Sequence, residues 1–543
     1  MAPGLTRAHR LCVGAALGLL LLVGLSAPNA AQPDLGPLGW VVAPRLPLEL
    51  GPAAVTAVLW TAYLLGGLAV FLGLRGRVEA LRGWLAPGVI ALLALLASPF
   101  GSADHVNYLA YGRILVGGGN PWVDAPISWA GGLDPVTSRV EEPWTTEPSV
   151  YGPFGTLLHA VSALVGGGSL RQGVWVWQVI VVVSWLAVRA LLRAGLDPEL
   201  HGRVDVLWTL NPLVVGVGVL GAHIDTVATT LALAAVVVAA RRPGWGAALL
   251  SGAFVGLAGS TKFTYAVVGA GVVAAWWVVG RRSAVLARLV GALVAGFVVV
   301  AGALHLWAGP HVYDQLIRSR QAVSLATPWR PLLEWGRDTW GNAPTRLLIS
   351  VAAAVLAVVL AWCLLRASRP AGWDKIDQLV EVVPGARTPS DQLVDGGTPY
   401  AVEARTPSDQ LVDPGTDAGA SPARVAAVAL WVTACLALAY SLAAPYSLPW
   451  YDLLVWGALP AVLPGLVDLV ALVRLVALAV AYVPGRVLGL TPAVEDLTLG
   501  VRRDVVPWVG LVLWVVVIAA GVRSGSPRRL GPRRAGTTPT PTR

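Results

Sequence analysis

A carboxylate stands at the edge of an apolar run at Asp104, within "SPFGSADHVNYLAYGRILVGGGNPW" from Ser98. Further along, His223 and Asp225 sit between two apolar runs in "VLGAHIDTVATT", and Lys262 between two more in "LAGSTKFTYAV". An ionisable residue at membrane depth costs about 2.5–3.5 kcal/mol on insertion scales, so such residues are candidates for function. A carboxylate can take a proton from a sugar hydroxyl and turn it into a nucleophile. Cations opposite it can stabilise a departing phosphate, because they meet charge that grows in the transition state. These are parts for group transfer from a lipid phosphate. The segment 101–150 adds Asp124, Asp134, Glu141, Glu142 and Glu147, and the segment 309–343 adds Arg318, Arg320 and Arg330. The arginine fork suits phosphate. Trp122, Trp129 and Trp144 could cover a sugar ring. Each residue also has a plainer reading as an interfacial anchor, a satisfied polar contact or a local ion pair. Protein cations can hold the phosphate, so no cofactor is required, although Asp124, Glu141 and Glu142 leave room for a divalent ion.

The elements that must position these residues are membrane helices. The chain has 543 residues, 56% of them hydrophobic and 13% charged, against about 25% charged in soluble domains. The formal charge of +9 comes from arginines lying between apolar runs. There they orient a membrane protein and are no signal for nucleic acid. The three cysteines, Cys12, Cys363 and Cys435, each lie inside an apolar run with no metal-like or redox-like neighbour. With about 20 apolar residues needed per crossing, spans are expected at 11–28, 51–74, 83–100, 172–193, 204–221, 223–240, 244–261, 263–280, 286–308, 344–365, 425–444, 450–466, 467–484 and 505–522. The expected class is an all-α polytopic membrane protein of about 13–14 transmembrane helices with a large first periplasmic loop. Segment 1–30 reads as a first transmembrane helix, or as a signal-like segment, since Arg7 and Arg10 precede it and Ala-x-Ala-like residues follow.

Both termini inside would place Arg75, Arg82, Arg189, Arg193, Arg203, Arg241 and Arg366 on the cytoplasmic side. The loops 101–150 and 309–343 would then lie outside with His223, Asp225 and Lys262. "EPSVYGPFGTLLHAVSALV", too short to cross, reads as a re-entrant or interfacial helix. The domain order is a transmembrane core over 31–365, a cytoplasmic insertion over 366–424, helices over 425–522 and a basic tail over 523–543. The insertion repeats "ARTPSDQLVD" and has the composition of a disordered segment.

The ordered set "NPWVDAP", "WTTEPSVYGPF", "TLNPLVVGVGVLGAHIDTVATTLAL", "GAALLSGAFVGLAGSTKFTYAV" and "YSLPWYDLLVWGALP" resembles the actinobacterial polyprenol-phosphate-mannose-dependent α-1,6-mannopyranosyltransferases, which have the GT-C fold. The resemblance covers about residues 50 to 470. It implies that mannose passes, with inversion, from a polyprenyl-phosphate-mannose donor to a mannan glycolipid acceptor, on the outer face of the plasma membrane, in lipomannan and lipoarabinomannan assembly. On it Asp104 matches the first-loop acid and general base, and Tyr108 the tyrosine four residues on. Tyr151 to Pro153 match a "YGP" turn, His223 and Asp225 a "HND" triplet, Lys262 a lysine at a helix end, and Trp450 with Tyr451 a "PWY" element. Val106 stands where an aromatic is expected, and Ile224 replaces the triplet's asparagine. An arabinofuranosyl donor or another mannan linkage would use the same logic. A secondary transporter would show two related halves and charges at mid-depth, which this pattern lacks.

Overall fold

The computed structural model describes residues 3–37, 39–42, 44–76, 78–241, 244–280, 283–319, 322–369, 421–486 and 489–524. Arg320, the repeats of the 366–424 insertion and nearly all of the 523–543 tail lie outside them. Among the described residues the regular elements are all helices.

The apolar runs become helices bounded by the residues that sequence rules assign to helix ends. Pro52 opens α2 (Pro52–Arg75) just after Gly51, and Arg75 closes it before Gly76. Proline at the first turn loses no hydrogen bond, and a cation at the last turn complements the helix dipole. In chain order the other principal helices are α1 (Pro3–Leu25), α3 (Leu85–Leu96), α4 (Asp104–Val116), α5 (Pro153–Gly166) and α6 (Leu170–Gly195). Then come α7 (Pro198–Leu220), α8 (Asp225–Arg241), α9 (Trp245–Thr261), α10 (Phe263–Val278) and α11 (Ser283–Ala308). The last are α12 (Trp329–Trp340), α13 (Asn342–Ala367), α14 (Pro422–Ala443), α15 (Leu453–Ala458), α16 (Leu466–Tyr482) and α17 (Pro492–Arg523).

Eight of the fourteen expected spans coincide with helices long and apolar enough to cross a membrane. The others are shorter. Helices of 17 residues such as α9 and α16 reach about 25 Å at 1.5 Å per residue. The expected span at 450–466 is a chain of short turns around α15, each turn six residues or fewer. Trp450 and Leu453 to Pro460 are buried, which is where irregular backbone is tolerated at membrane depth. α7 carries wide turns over 205–209 and 215–220, split at Asn211, whose side chain accepts from Leu213 N and donates to Leu207 O.

Polar groups sort to the two ends of the bundle. At one end Asp205 accepts from Arg189 at 3.3 Å and Arg193 at 2.6 Å, and Asp468 accepts from Arg203 at 2.5 Å. At the other end lie Asp104, His223, Asp225 and Lys262. Helices pack closely where glycine removes a Cβ. One added to Gly252 of α9 would fall 1.9 Å from Leu293 O, and one on Gly296 of α11 2.0 Å from Leu249 O. Small residues of this kind let membrane helices approach. The Gly152 turn that opens α5 packs against Thr261, and Gly166 at its other end packs against Gly173 of α6.

Candidate active site

The turn between α7 and α8 carries His223. Ala222 adopts φ +54°, a left-handed conformation that costs a non-glycine residue about 1–2 kcal/mol. The turn is held by Trp177 Nε1, which donates to Ala222 O at 2.7 Å, and by Gln178 Nε2, which donates to Val219 O at 2.8 Å. His223 Nδ1 lies 2.7 Å from Val217 O, which can only accept, so that nitrogen carries a proton. The ring stacks on Trp450, with centroids 3.8 Å apart and planes 15° apart.

Asp104 opens α4 opposite this ring. Its Oδ2 is 3.7 Å from His223 Nε2. Ser102 joins the two: its Oγ accepts from Asp104 N at 2.9 Å and lies 3.2 Å from His223 Nε2. The Asp104 side chain keeps 16% exposure. Burial pushes its carboxyl up to about 7, the charge of Lys262 pulls it down, and that of Asp225 raises it. A carboxylate tuned near neutrality suits a base.

Lys262 follows the last residue of α9. Its Nζ donates to Asp225 Oδ1 at 2.6 Å and sits 3.5 Å from the Tyr451 ring centroid. Tyr265 OH donates to the same oxygen at 3.1 Å. Asp225 is fully buried, while the lysine side chain is 18% exposed. The structure therefore joins Asp104, His223 and Trp450 in one group, and Asp225, Lys262 and Tyr451 in another. The two share the Trp450–Tyr451 dipeptide, and the charges of Lys262 and Asp225 reach Asp104.

Tyr108 has no exposed surface. It stacks on His159 at 4.7 Å and meets Tyr151 edge-on at 4.8 Å, so it backs the half-buried Tyr151. The Tyr151 turn is pinned by Trp122 Nε1, which donates to Tyr151 O at 2.9 Å. Gly152 is required there: a Cβ would fall 2.2 Å from Ser260 O. Trp129 abuts Gly117 and Gly119, and Trp144, like Tyr151, packs against the cluster around Tyr108.

The loop arginines are engaged by nearby acids. Arg318 bonds Glu147 at 3.1 Å and Arg330 bonds Glu334 at 2.7 Å. Glu147 O accepts from Tyr111 at 3.0 Å, which links Arg318 to the loop around Tyr151. Of the carboxylates considered for a divalent ion, Glu141 is bound by Arg486, and Asp124 accepts from Asn120 N. No three His, Cys, Asp or Glu side chains come together as metal ligands among the described residues.

Sequence reasoning missed Ser102, Tyr265, Arg474 and Arg502. Arg474 Nε donates to Asp452 at 3.0 Å, directly after Tyr451, and the pair is buried. Arg502 lies 4.3 Å from the Tyr482 ring centroid, and Tyr482 sits 6.5 Å from Trp450. Their signal was an arginine inside an expected span and another beside one.

Residues 12–279 match the family model described as the N-terminal domain of alpha-(1->6)-mannopyranosyltransferase. No curated protein and no solved structure matches the chain.

Proposed function

Because the chain belongs, through residues 12–279, to the α-(1→6)-mannopyranosyltransferase family, and is a mannosyltransferase, we infer that its donor is a polyprenyl-phosphate-mannose and its acceptor an α-1,6-mannan on a membrane glycolipid. The observation that carries this reading is a raised carboxylate and a cation at the same end of the bundle. The Asp104 carboxyl, pushed up to about 7, feels the charge of the Lys262 ammonium, which is 18% exposed. Trp450 and Tyr451 join the two groups from outside the matched residues.

In the proposed reaction the acceptor 6-hydroxyl meets Asp104. Asp104 takes its proton as the hydroxyl oxygen forms a bond to the mannose anomeric carbon. The bond from that carbon to the phosphate oxygen breaks, and its electrons leave with the polyprenyl phosphate. Attack from the face opposite the phosphate inverts the centre through an oxocarbenium-like transition state. Lys262 meets the charge growing on the phosphate, with Arg318, Arg320 and Arg330 as further candidates from the 309–343 loop. Tyr108 positions Tyr151, which floors the site. Trp450 holds the His223 ring behind Asp104. The reading requires no cofactor, since protein cations supply the positive charge. It puts the protein in the plasma membrane with the Asp104 end outward, opposite the arginine-rich end, and gives it a role in lipomannan assembly.

The test is to incubate membranes holding the protein with radiolabelled polyprenyl-phosphomannose and short α-mannosides, then determine the linkage formed. An α-1,6 product from the lipid donor supports the reading. Transfer from GDP-mannose without any lipid carrier refutes it.

A further inference from the structure

A cavity of about 500 Å³ opens at the site end beside the 26–50 loop. That volume lies within the range of small-ligand sites. Arg45, Arg171 and Arg486 line it, with Asp34 the one acid in the wall. Asp34 is bound from outside by Arg139 at 2.6 Å, and Arg486 by Glu141, so the balance stays at two positive charges. Arg171 and Arg45 carry that excess. The Arg171 side chain is buried, and its Nε donates to Gly36 O at 2.9 Å. Arg171 stands in the first turn of α6, where the helix dipole adds positive potential. Arg45 is exposed and has no acidic partner among the described residues. Two buried or converging guanidiniums without counter-ions raise the affinity of a cavity for an anion.

The surroundings are apolar. Leu35, Leu50 and Pro52 line the same cavity, and Pro52 begins the spanning helix α2. The loop bearing Arg45 exposes Trp40, Val42, Leu46 and Leu48 on both sides of it. Exposed apolar side chains interleaved with arginine, level with the end of a spanning helix, match a headgroup interface. Ser98 lines the cavity, and Gly101 N donates to Ala31 O at 2.9 Å. The cavity therefore borders the short segment that ends at Asp104, and Lys262 is not among its lining residues.

We propose that this cavity is a second anion site that binds the phosphate group of a membrane lipid, with Arg45 and Arg171 on the phosphate oxygens and the acyl or prenyl chain along the Trp40–Leu48 loop.

The test uses the full-length protein purified in a neutral detergent and native mass spectrometry of bound lipid. Dodecaprenyl phosphate and phosphatidylglycerol probe monoester and diester, phosphatidylethanolamine serves as the zwitterionic control, and inorganic phosphate as the free ion. The expected result is retention of one or both anionic lipids over the control. Arg45→Gln with Arg171→Gln should weaken it at least tenfold. Arg45→Gln alone alters an exposed side chain, so a partial loss there holds even if the double variant folds poorly. Lys262→Met, which removes the cation assigned to the donor phosphate, should retain phosphatidylglycerol like the wild type, which separates this site from the transfer chemistry. Equal retention by wild type and Arg45→Gln overturns the proposal. Inorganic phosphate displacing the lipid at equal concentration assigns the pocket to the free ion and also overturns it.

Discussion

Replacing Lys262 by methionine leaves the Asp225 carboxylate fully buried without its ammonium partner, and with Oδ2 still lacking any hydrogen bond. Removing one member of a buried ion pair costs about 3–5 kcal/mol. The lysine end retains 18% exposure, which places the loss near the lower bound, about 3 kcal/mol. Unfolding entropy of about 2.1 cal/mol/K per residue over 543 residues gives about 1.1 kcal/mol/K, so the unfolding midpoint in detergent should fall by about 3 °C. Adding Asp225→Asn removes the stranded charge, and the asparagine can still accept from Tyr265, whose hydroxyl lies 3.1 Å from Oδ1. The double variant should recover to within about 1 °C of the wild type. On the proposed mechanism, transfer from the lipid donor should stay lost in both variants, because the cation assigned to the leaving phosphate is gone. A double variant that transfers mannose at the wild-type rate would show that Lys262 only neutralises Asp225. A single variant that melts like the wild type would refute the buried pair.

Asp104→Asn should lower transfer by about 10²–10⁴-fold while leaving elution on gel filtration unchanged; near-normal transfer rejects the base. Burial raises the Asp104 carboxyl to about 7, and a raised carboxyl is protonated below that pH, so kcat/KM should fall with acidification through about 7 and a flat profile down to pH 5 contradicts the assignment. Gly152→Ala, whose Cβ would lie 2.2 Å from Ser260 O, should displace α5 from α9 and lower transfer, whereas Gly88→Ala in α3, with open space at its Cβ, should be harmless; equal activity of the two refutes that contact. Transfer should persist in EDTA; its loss, restored by a divalent cation, overturns the metal-free reading.

The helices were legible because apolar runs and flanking arginines leave few alternatives at membrane depth. Asp104, His223, Asp225 and Lys262 were legible for the converse reason, as charges where charge is costly. Periodicity could not tell a membrane crossing from the buried short turns at 449–461, since both are equally apolar. The arginines of 309–343 stood out as a group in sequence, yet Arg318 and Arg330 each meet an acid nearby. Arg45, Arg171 and Arg486 converge from positions far apart in the chain, and each looked ordinary beside its own neighbours. Ser102 is a commonplace residue whose role exists only because the α7–α8 turn brings His223 to it.

The proposed active site draws on both sides of the long insertion: Asp104, Tyr151, His223 and Lys262 precede residue 369, whereas Trp450 and Tyr451 follow residue 421. α13 and α14 flank that stretch and pack along each other. Scission between them should yield two polypeptides, each inert alone because it holds only part of the proposed site. Produced together in one cell, they carry the mating surface needed to reunite, so the gene should tolerate being split in two at that point.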